Sequence, residues 1–560
     1  MPNRLTQALP ISLMLVRLAP ICYFILLIRR ALIAQSSITQ LITILPDDAF
    51  YYLKLACNFA ETGFWSFDGY NPTSGFHIVY AYLLAAFIKI LSCANLQALY
   101  LVIALLGCLS LSYSYRIISS FVFYRYGLKY ALLSCIPFWS TPITSQSTAM
   151  MESWLTILIS SILVIQTFNA CEDISNYRKP PSFRTSLTLT CLSFLAILIR
   201  SDLLVLILSL SLICFTSLDS HFFTDFKANR FLPFLRNLFS FPILTPLLVG
   251  AATGSTISAS HSFLLTGSFL QNSAVIKKHW GMIMGFQLEV PVRLLSSMLL
   301  PMRISIQYLN RMILLGMLVF FAIYVIHSIC YFLAISKITF PVYRSDPIML
   351  MPASLLIYLL LYSINSQALQ QWYSAQLIIP TSFTILTILL RTDHFLDESY
   401  TLLTSKIKLS YHSALFILLA LWISMLLIWP VKPLYPNQLA IYKAVTSLSD
   451  AKYTQTIGSW NAGIPGYFYR STLINLDGLV NSKVVRYIIS NTLNNYLAES
   501  YPKIDFVLDY RYMTNHPSLK QRGGYPKGLE SLDQDCKLIA KSLTNSSYDI
   551  CLWTVKHEHQ

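Results

Sequence analysis

The sequence predicts a polytopic α-helical membrane protein with a soluble α/β domain at its C-terminal end, and three observations support this prediction. Hydrophobic residues make up 55% of the 560 residues and charged residues only 12%, about half the charged fraction of a soluble domain. Long apolar runs recur from Ile11 to Trp429. After Pro430 the composition becomes polar, and no further long apolar run occurs. These features exclude a large soluble enzyme, a disordered chain and a small disulfide-rich scaffold.

The apolar runs predict helices, because backbone exposed to lipid must satisfy its own hydrogen bonds. Several runs approach the roughly 20 residues that a bilayer crossing needs, and others are shorter. The predicted spans are 11–28, 76–92, 98–120, 128–144, 150–170, 185–199, 203–218, 237–252, 312–335, 346–363, 372–391 and 412–429. They predict about 11–13 transmembrane helices in residues 1–430, with external loops at about 29–75 and about 253–291.

The basic residues predict the orientation of the chain. The net charge is +15, from 40 Lys and Arg against 25 Asp and Glu, and the excess is spread over the loops between spans. This distribution suits membrane topology better than nucleic-acid binding. The positive-inside rule assigns the loops around Arg125 and Arg178 to the cytoplasm, and 253–291 and the C-terminal domain to the outside. A full crossing by 76–92 would break the alternation, so either this stretch is a partial span or another span is wrongly assigned.

Residues 431–560 are predicted to form a compact extracytoplasmic domain of mixed α/β type and ordinary size. Cys536 and Cys551 are the only cysteines in this domain. Since an extracytoplasmic compartment is oxidising, a disulfide between them is plausible. Most of the other cysteines lie in apolar runs, where they behave as small buried hydrophobic residues.

Asp47 and Asp48 are the first acidic residues of the chain. They follow Pro46 and begin a segment with helical periodicity. A helix N-terminus stabilises carboxylates as anions. Two neighbouring carboxylates also repel each other, which raises one pKa and suits a general base. The alternative is an ordinary helix cap beside a solvated loop charge.

The segment Gly63–His77 is rich in turn residues and aromatic side chains and leads into the next apolar run. Aromatic residues among turns are typical of a carbohydrate platform or of a belt at the membrane interface. Asn71 is a substrate-binding candidate in this loop, and His77 at its end is placed to donate to an anion. A hydrogen-bonded structural role for His77 remains the alternative.

Two strings in this region, Asp47–Tyr52 and Asn71–His77, resemble the first external loop of bacterial GT-C glycosyltransferases. These integral-membrane enzymes are related to protein O-mannosyltransferases and to the lipid A aminoarabinose transferase, and they use sugars carried on polyprenyl phosphate. Further strings that resemble family motifs follow in the expected order: Ala149–Ser153, Ile199–Asp202, Gly267–Lys277, Gln371–Tyr373, Gly458–Phe468 and Asn475–Asn481. Ser201 and Gln271 stand where the family usually has proline, which affects local geometry more than the reaction class.

The resemblance implies a GT-C fold and the transfer of a sugar from polyprenyl phosphate to an acceptor hydroxyl outside the cytoplasm. In this scheme Asp47 is the general base and Lys277 stabilises the leaving phosphate, with Lys278, Arg200 and His77 as secondary candidates for that role. A single displacement inverts the anomeric carbon. No metal and no other cofactor is expected, because the donor is a lipid-linked sugar and no Cys/His cluster has zinc spacing.

The resemblance also implies substrate contacts beyond the base and the lysine. The further substrate-binding candidates are Glu152, Asp202, Trp372, Tyr373, Asn461 and Asp477. Each has a structural alternative. Asp202 can pair with Arg200 inside the membrane, the Trp-Tyr pair can belong to an aromatic belt, and the C-terminal strings can be tight turns. Lys277 itself can be an interfacial lysine that touches lipid head groups.

The expected partners are a polyprenyl-phosphate sugar, the lipid bilayer and an acceptor that is a glycan, a lipid or a protein. The expected location is the bacterial inner membrane, with the C-terminal domain in the periplasm. Two other functions remain open: a transporter or flippase for lipid-linked sugars, and a non-catalytic glycan-binding membrane protein. The transporter is less favoured because the acidic residues cluster in external loops and at span ends, and no inverted repeat is visible.

Overall fold

The protein is described by a computed structural model. It covers residues 5–177, 181–218, 243–299, 348, 351–364, 369–399 and 433–557, except 452, 534 and 543. The predicted spans 312–335 and 412–429 lie outside the described residues, as does the predicted domain boundary at 430.

The described part of the membrane region is helical, as the apolar runs predict. Its first helices are α1 (Leu5–Ala34), α2 (Ile38–Ile44), α3 (Asp47–Thr62), α4 (Ile78–Leu91), α5 (Leu96–Tyr126), α6 (Leu128–Ser134), α7 (Thr141–Gln146) and α8 (Ser153–Tyr177). The following helices are α9 (Phe183–Ile199), α10 (Leu204–Leu218), α11 (Leu244–Thr266), α12 (Asn272–Met284), α13 (Glu289–Leu299), α14 (Met351–Ile364) and α15 (Ser374–Ser399). Short 3-10 helices occupy Ile136–Trp139, Ser201–Leu203 and Gln371–Tyr373.

The chain is a multi-pass membrane protein. Among the described residues, four helices are long and apolar enough to cross a bilayer: Ser12–Ala34, Leu96–Tyr126, Ser153–Ile174 and Gln371–Arg391. Shorter apolar helices are Ile78–Leu91, Phe183–Ile199, Ser201–Cys214 and Met351–Ile364. At 1.5 Å per residue, α4 is only about 21 Å long, which is less than the roughly 30 Å hydrocarbon core. This length fits the first of the two alternatives given above for 76–92, a partial span, and the choice between them stays open.

Two predicted segments differ from the structure. The span predicted at 128–144 is not one helix, because the chain breaks into α6, a 3-10 turn and α7. Pro137 and Pro142 each lie at the start of one of the later pieces, where a missing N–H costs least. The external segment 253–291 is mostly helical, because α11 continues to Thr266 before a left-handed Gly267 ends it, and α12 and the start of α13 follow.

Glycines allow α9 and α11 to pack closely. Gly250 and Gly254 are four residues apart on α11 and therefore lie on one face of the helix. A Cβ atom at Gly250 would lie 2.2 Å from the carbonyl oxygen of Thr190 on α9, and one at Gly254 would lie 2.9 Å from Ile197. Small residues at this spacing let two membrane helices approach backbone to backbone.

The C-terminal region is α/β, as its composition predicts. Its helices are α16 (Gln438–Asp450), α17 (Gly463–Phe468), α18 (Ser482–Ile489), α19 (Leu493–Glu499), α20 (Tyr512–Asn515) and α21 (Pro517–Arg522). Its strands are β1 (Ile457–Ser459), β2 (Leu473–Asn475), β3 (Phe506–Tyr510), β4 (Lys537–Ala540) and β5 (Ile550–Thr554). The sheet order is β2-β1-β3-β5-β4, in which β1 is parallel to β2 and β3, and β5 is antiparallel to β3 and β4.

This α/β region packs directly on the first external loop of the membrane region. The amides of Leu434 and Tyr435 both donate to the carbonyl of Thr43 in α2, at 2.9 and 2.8 Å. The ring of Phe50 on α3 lies 5.9 Å from that of Tyr467 and 5.8 Å from that of Phe468. Segments about 400 residues apart in the sequence thus share one hydrophobic core.

The described part of the chain contains two disulfides. Cys536 and Cys551 are bonded, as the sequence analysis anticipates. A second bond joins Cys57 on α3 to Cys93 in the turn between α4 and α5, and it was not predicted. Because the first external loop and the C-terminal sheet each carry a disulfide, both are suited to an oxidising compartment.

We expect non-reducing peptide mapping of the protein purified from the membrane to recover the Cys57 peptide linked to that of Cys93, and the Cys536 peptide linked to that of Cys551. Cys22 and Cys108 serve as controls, because both are free thiols in the structure and should react with alkylating reagents once the protein is denatured. Alkylation of all four external cysteines without prior reduction would contradict the assignment.

Candidate active site

The helix that carries the two aspartates begins where the sequence predicts. Pro46 has an extended backbone (ψ 154°) and precedes the first turn of α3, which contains Asp47 and Asp48. Since consecutive helical residues are about 100° apart around the axis, the two carboxylates of this turn cannot point the same way. The structure gives each of them different surroundings.

Asp47 points at the α/β region. Its carboxylate accepts hydrogen bonds from the backbone amides of Gly463, at 3.1 Å, and Ile464, at 2.8 Å, in the first turn of α17. The approach needs a glycine, because a Cβ atom at residue 463 would lie 2.1 Å from the carbonyl oxygen of Asp47. Burial raises the pKa of Asp47 to about 7, although the two amides favour its ionised form.

Asp48 instead lines an open-sided cavity of about 490 Å³ between the membrane region and the α/β region. Burial raises the pKa of Asp48 to about 6, while the nearby charge of Lys277 opposes the increase. A carboxyl group with this pKa is largely ionised at neutral pH. The pKa is also close to the value at which a general base works best.

Tyr51, one turn after Asp48, also lines the cavity and links α3 to the α/β region. Its hydroxyl donates to the carbonyl oxygen of Trp460 (2.9 Å) or to the carboxylate of Asp477 (3.0 Å), and it accepts from the amide of Ala462 at 3.0 Å. The carboxylate of Asp477 accepts in addition from the amide of Leu479, at 2.7 Å. Burial raises the pKa of Asp477 to about 7.

Lys277 faces the same cavity from α12. Its ammonium group donates to the hydroxyl of Tyr373 at 2.8 Å, and Tyr373 lies beside Trp372 in the 3-10 helix before α15. Burial lowers the pKa of Lys277, but Tyr373 and Asp48 outweigh that effect and raise it overall. No carboxylate lies within ion-pair distance of this lysine among the residues that the structure describes.

Arg200 is held between two carboxylates, in contrast to Lys277. One Nη atom lies 2.7 Å from Glu152, and two further contacts of 3.1 Å join the guanidinium to Asp202. Arg200 and Glu152 are 2% and 1% exposed, so the pair is fully desolvated. The pairing that the sequence analysis gave as the structural alternative for Asp202 is therefore present, and most of the charge of Arg200 is neutralised.

His77 and the loop before it complete one wall. His77 precedes the first residue of α4, and its Nε2 atom lies 3.6 Å from the carboxylate of Glu152. Burial lowers the pKa of His77 to about 4, so the imidazole is neutral at physiological pH. Asn71 lies in the loop rather than at the cavity, and its side chain donates to Asp68 at 2.7 Å.

The structure brings together most of the residues that the sequence analysis selects. Those that line the cavity are Asp48, His77, Glu152, Arg200, Lys277, Trp372 and Tyr373. Those with other hydrogen-bonding roles are Asp47, Asn71, Asp202, Asn461 and Asp477; Asn461, for example, donates its side-chain amide to Asp509 at 2.7 Å. These five residues do not line the cavity, and a role for them in substrate binding stays a prediction.

Several lining residues escaped the sequence analysis. Tyr51, Tyr52 and Ser273 line the cavity and lie within the motif strings Asp47–Tyr52 and Gly267–Lys277, although none of them was selected. Leu479 and Val480 come from the α/β region and close one side of the cavity. They lie within the matched string Asn475–Asn481, but an apolar residue in such a string carries no sign that it faces a substrate.

Among the described residues, no group of three or more His, Cys, Asp or Glu side chains is arranged to hold a metal ion. The ionisable groups that line the cavity are the carboxylate of Asp48, the ammonium group of Lys277, the neutral imidazole of His77 and the Glu152–Arg200 ion pair, and aromatic side chains lie beside them. This set can accept a proton from a hydroxyl and hold an anion nearby.

Three solved structures of other proteins are similar to this one. ArnT from Cupriavidus metallidurans bound to undecaprenyl phosphate is 10% identical, with 94% of this chain and 97% of that chain covered at a TM-score of 0.51. The Archaeoglobus fulgidus oligosaccharyltransferase in its apo form is 13% identical over 93% of this chain and 72% of that chain, at a TM-score of 0.49. AglB from the same organism, in complex with an inhibitory peptide and a dolichol-phosphate, is 12% identical, with 90% of this chain and 72% of that chain covered at a TM-score of 0.49.

The likeness to ArnT extends over nearly the whole of both chains and establishes the fold. The chain is thus a membrane protein with a GT-C-type fold and a C-terminal α/β region, as the motif strings imply. No protein-family model matches the sequence, and no curated protein matches it. The fold is accordingly recognised through the structure and through the motif strings alone.

We expect Glu152→Gln to lower the free energy of unfolding by about 3–5 kcal/mol, because it leaves the buried Arg200 charge incompletely paired. A denaturant titration of the detergent-solubilised protein measures this change. Glu289→Gln is the matched control, since Glu289 pairs with Arg293 at 2.7 Å on an exposed surface where both side chains are more than half accessible. Such exposed pairs contribute about 0.5 kcal/mol or less. Equal losses in the two variants would contradict the prediction.

Proposed function

We propose that this chain is a glycosyltransferase that moves a sugar from polyprenyl phosphate to an acceptor hydroxyl on the outer side of the membrane. The observation that carries the proposal is that Asp48 and Lys277 line the same cavity. Asp48 is a carboxylate whose pKa is near neutrality, and Lys277 is a lysine that forms no ion pair with a carboxylate among the described residues. The fold supports it, because ArnT, which shares the fold, was solved with undecaprenyl phosphate bound. The motif strings point to the same reaction class.

Lys277 is suited to the phosphate of the donor. Its charge is not cancelled within the described residues, and Tyr373 holds the ammonium group in position through the 2.8 Å hydrogen bond. Arg200 contributes less positive charge, because Glu152 and Asp202 neutralise it. His77 is neutral and contributes through hydrogen bonding rather than through charge. A cation beside the departing oxygen stabilises the charge that develops there.

Asp48 is the better-placed general base. The sequence analysis assigned that role to Asp47, but the carboxylate of Asp47 is occupied by the amides of Gly463 and Ile464 and does not line the cavity. We therefore transfer the role to the second aspartate. Asp47 then acts as a positioning residue that fixes α17 against α3 and sets the direction in which Asp48 points.

The reaction follows from these positions. The acceptor hydroxyl oxygen forms a bond to the anomeric carbon while the bond from that carbon to the phosphate oxygen breaks. The electron pair of the broken bond stays on the phosphate oxygen, and Lys277 stabilises the resulting charge. The proton of the acceptor hydroxyl passes to Asp48. The products are the glycosylated acceptor and polyprenyl phosphate. One displacement without a covalent intermediate inverts the anomeric configuration.

The aromatic residues of the cavity suit the sugar. Trp372, Tyr373 and Tyr52 all line the cavity, and the ammonium nitrogen of Lys277 lies 5.3 Å from the centroid of the Tyr373 ring. Rings of this kind pack against the C–H faces of a pyranose while leaving its hydroxyls to polar partners. Glu152, which also lines the cavity, has an oxygen atom without a hydrogen-bond partner and is suited to accept from a sugar hydroxyl.

The disulfides support an extracytoplasmic position for this site. Cys57 and Cys93 lie in the external loops that build the cavity side of the membrane region, and Cys536 and Cys551 lie in the α/β region that closes it. Disulfides persist in oxidising compartments. With the family resemblance, this favours the bacterial inner membrane with the α/β region in the periplasm. The acceptor is a glycan, a lipid or a protein on that side.

Purified protein in nanodiscs, supplied with undecaprenyl-phosphate sugars and a cell-envelope extract as acceptor, should release undecaprenyl phosphate. We expect Asp48→Asn to reduce this release by about 10²–10⁴-fold, the usual loss for a general base. In the wild type, kcat/KM should fall below about pH 6, because protonated Asp48 cannot accept a proton. Liquid chromatography with mass spectrometry of the lipid products measures both effects.

Asp47→Asn is the matched comparison for this experiment. It should reduce activity less than Asp48→Asn and keep the pH dependence, while it lowers thermal stability because the charged hydrogen bonds to α17 weaken. A wild-type rate from Asp48→Asn in folded protein would overturn the assignment of the base. Movement of intact donor across liposomes without any bond cleavage would instead favour the transporter.

Lys277→Met should lower kcat by about 10²–10³-fold, as expected when a group that stabilises developing charge is lost. Lys278→Met is the control, because Lys278 is exposed on the same helix and does not line the cavity. The same release assay measures both variants. Equal activity in the two variants would show that the leaving phosphate does not depend on Lys277.

A further inference from the structure

A second cavity lies on another face of α3. It has a volume of about 1070 Å³ and is open to one side. Its walls come from α3, from the start of α2, from the turn between α4 and α5, and from α16 and the segment around α17 in the α/β region. It is larger than the reaction cavity, and none of the proposed chemistry uses it.

Helix α3 lines both cavities, but with different residues on each side. The reaction cavity takes the i, i+3, i+4, i+7 set Asp48, Tyr51, Tyr52 and Leu55. The second cavity takes the corresponding set Lys54, Cys57, Asn58 and Glu61. At 100° per residue these sets lie about 120° apart around the helix. The helix itself therefore separates the two spaces.

Four charged side chains surround the second cavity without pairing. Two are cations, Lys54 and Arg470, and two are carboxylates, Glu61 and Asp450. None of the four side chains takes part in an ion pair or hydrogen bond with any residue that the structure describes. Their hydrogen-bonding capacity is therefore available to a ligand, and their charges sum to zero.

The remaining walls are aromatic and fixed. Tyr467 and Phe468 contribute rings, and the hydroxyl of Tyr467 donates to the carbonyl of Cys93 at 2.6 Å. The disulfide between Cys57 and Cys93 ties α3 to the turn that forms the rim. A site held by a covalent bond and by packed rings loses little conformational entropy when a ligand binds.

We propose that this cavity binds a neutral, hydroxyl-rich carbohydrate chain at a site separate from the reaction cavity. Vicinal hydroxyls both donate and accept, so they can satisfy carboxylates and cations together, and pyranose faces pack on aromatic rings. An anionic ligand would meet Glu61 and Asp450, and a cationic ligand would meet Lys54 and Arg470. A lipid chain lying in the cavity would take water away from these four charges without offering them a hydrogen bond, which is costly.

Binding can be measured without any donor, so the proposal does not depend on the transferase reaction. Saturation-transfer NMR on the full chain in nanodiscs should detect at least one neutral hexasaccharide from a panel of maltohexaose, cellohexaose, mannohexaose and chitohexaose. Arg470→Ala and Glu61→Gln should each weaken its binding by about tenfold, the equivalent of one lost hydrogen bond to a charged group. Lys443→Ala is the matched control, because Lys443 is exposed on α16 outside the cavity.

A substitution that blocks the cavity by its size tests the site without removing a charged side chain. Ala94 is exposed at the rim of the cavity, and Ala94→Trp should block binding without removing a charge. Asp48→Asn should retain hexasaccharide binding, which separates this site from the reaction cavity. The proposal is overturned if no neutral hexasaccharide binds, if Lys443→Ala weakens binding as much as Arg470→Ala, or if a uronic-acid hexasaccharide binds more tightly than the neutral ones. Loss of donor cleavage with intact hexasaccharide binding would instead refute the proposed function alone.

Discussion

The hydrogen bonds from the amides of Gly463 and Ile464 to the carboxylate of Asp47 are the interaction on which the rest of the site depends. They fix the rotation of α3 about its axis, because a helix that presents residue 47 to the α/β region must present residue 48 about 100° away. The same contact brings Leu479 and Val480 over the cavity. The carboxylate of Asp47 thus binds the α/β region, and the carboxylate of Asp48 stays at the cavity, where the proposed reaction uses it.

The electrostatic character of the cavity comes from unequal pairing. Two cations line it, but Arg200 is held by two carboxylates, whereas Lys277 has only the hydroxyl of Tyr373 as a direct partner among the described residues. Buried charges are retained when they are paired or used. Arg200 is therefore locked in a buried ion-pair cluster, whereas the charge of Lys277 is free to act on an anion. In the reaction proposed above, that anion is the phosphate of the donor.

Much of the fold was predictable from the sequence, because apolar runs and a compositional change are local signals. The reliance on local hydropathy also explains one error. The stretch 128–144 is largely apolar and was predicted as one span, but Pro137 and Pro142 each lie at the start of a separate helical piece within it. The motif strings led to Asp48 and Lys277, but the sequence analysis chose Asp47 as the base, whereas it is Asp48 that lines the cavity. The partner of Asp47 lies 416 residues away, and adjacent carboxylates look alike in a sequence. The same limit hid the link between Cys57 and Cys93, which depends on how three helices pack.

The dependence of α3 on residues 460–480 has a consequence for biosynthesis. The aspartates leave the ribosome early, whereas the amides that orient them are made 416 residues later, roughly 20–80 s at ordinary translation rates. Until that point the chain lacks Gly463 and Ile464, which bind Asp47, and Leu479 and Val480, which line the cavity. We therefore expect the cavity around Asp48 to form only after the last fifth of the chain has been made.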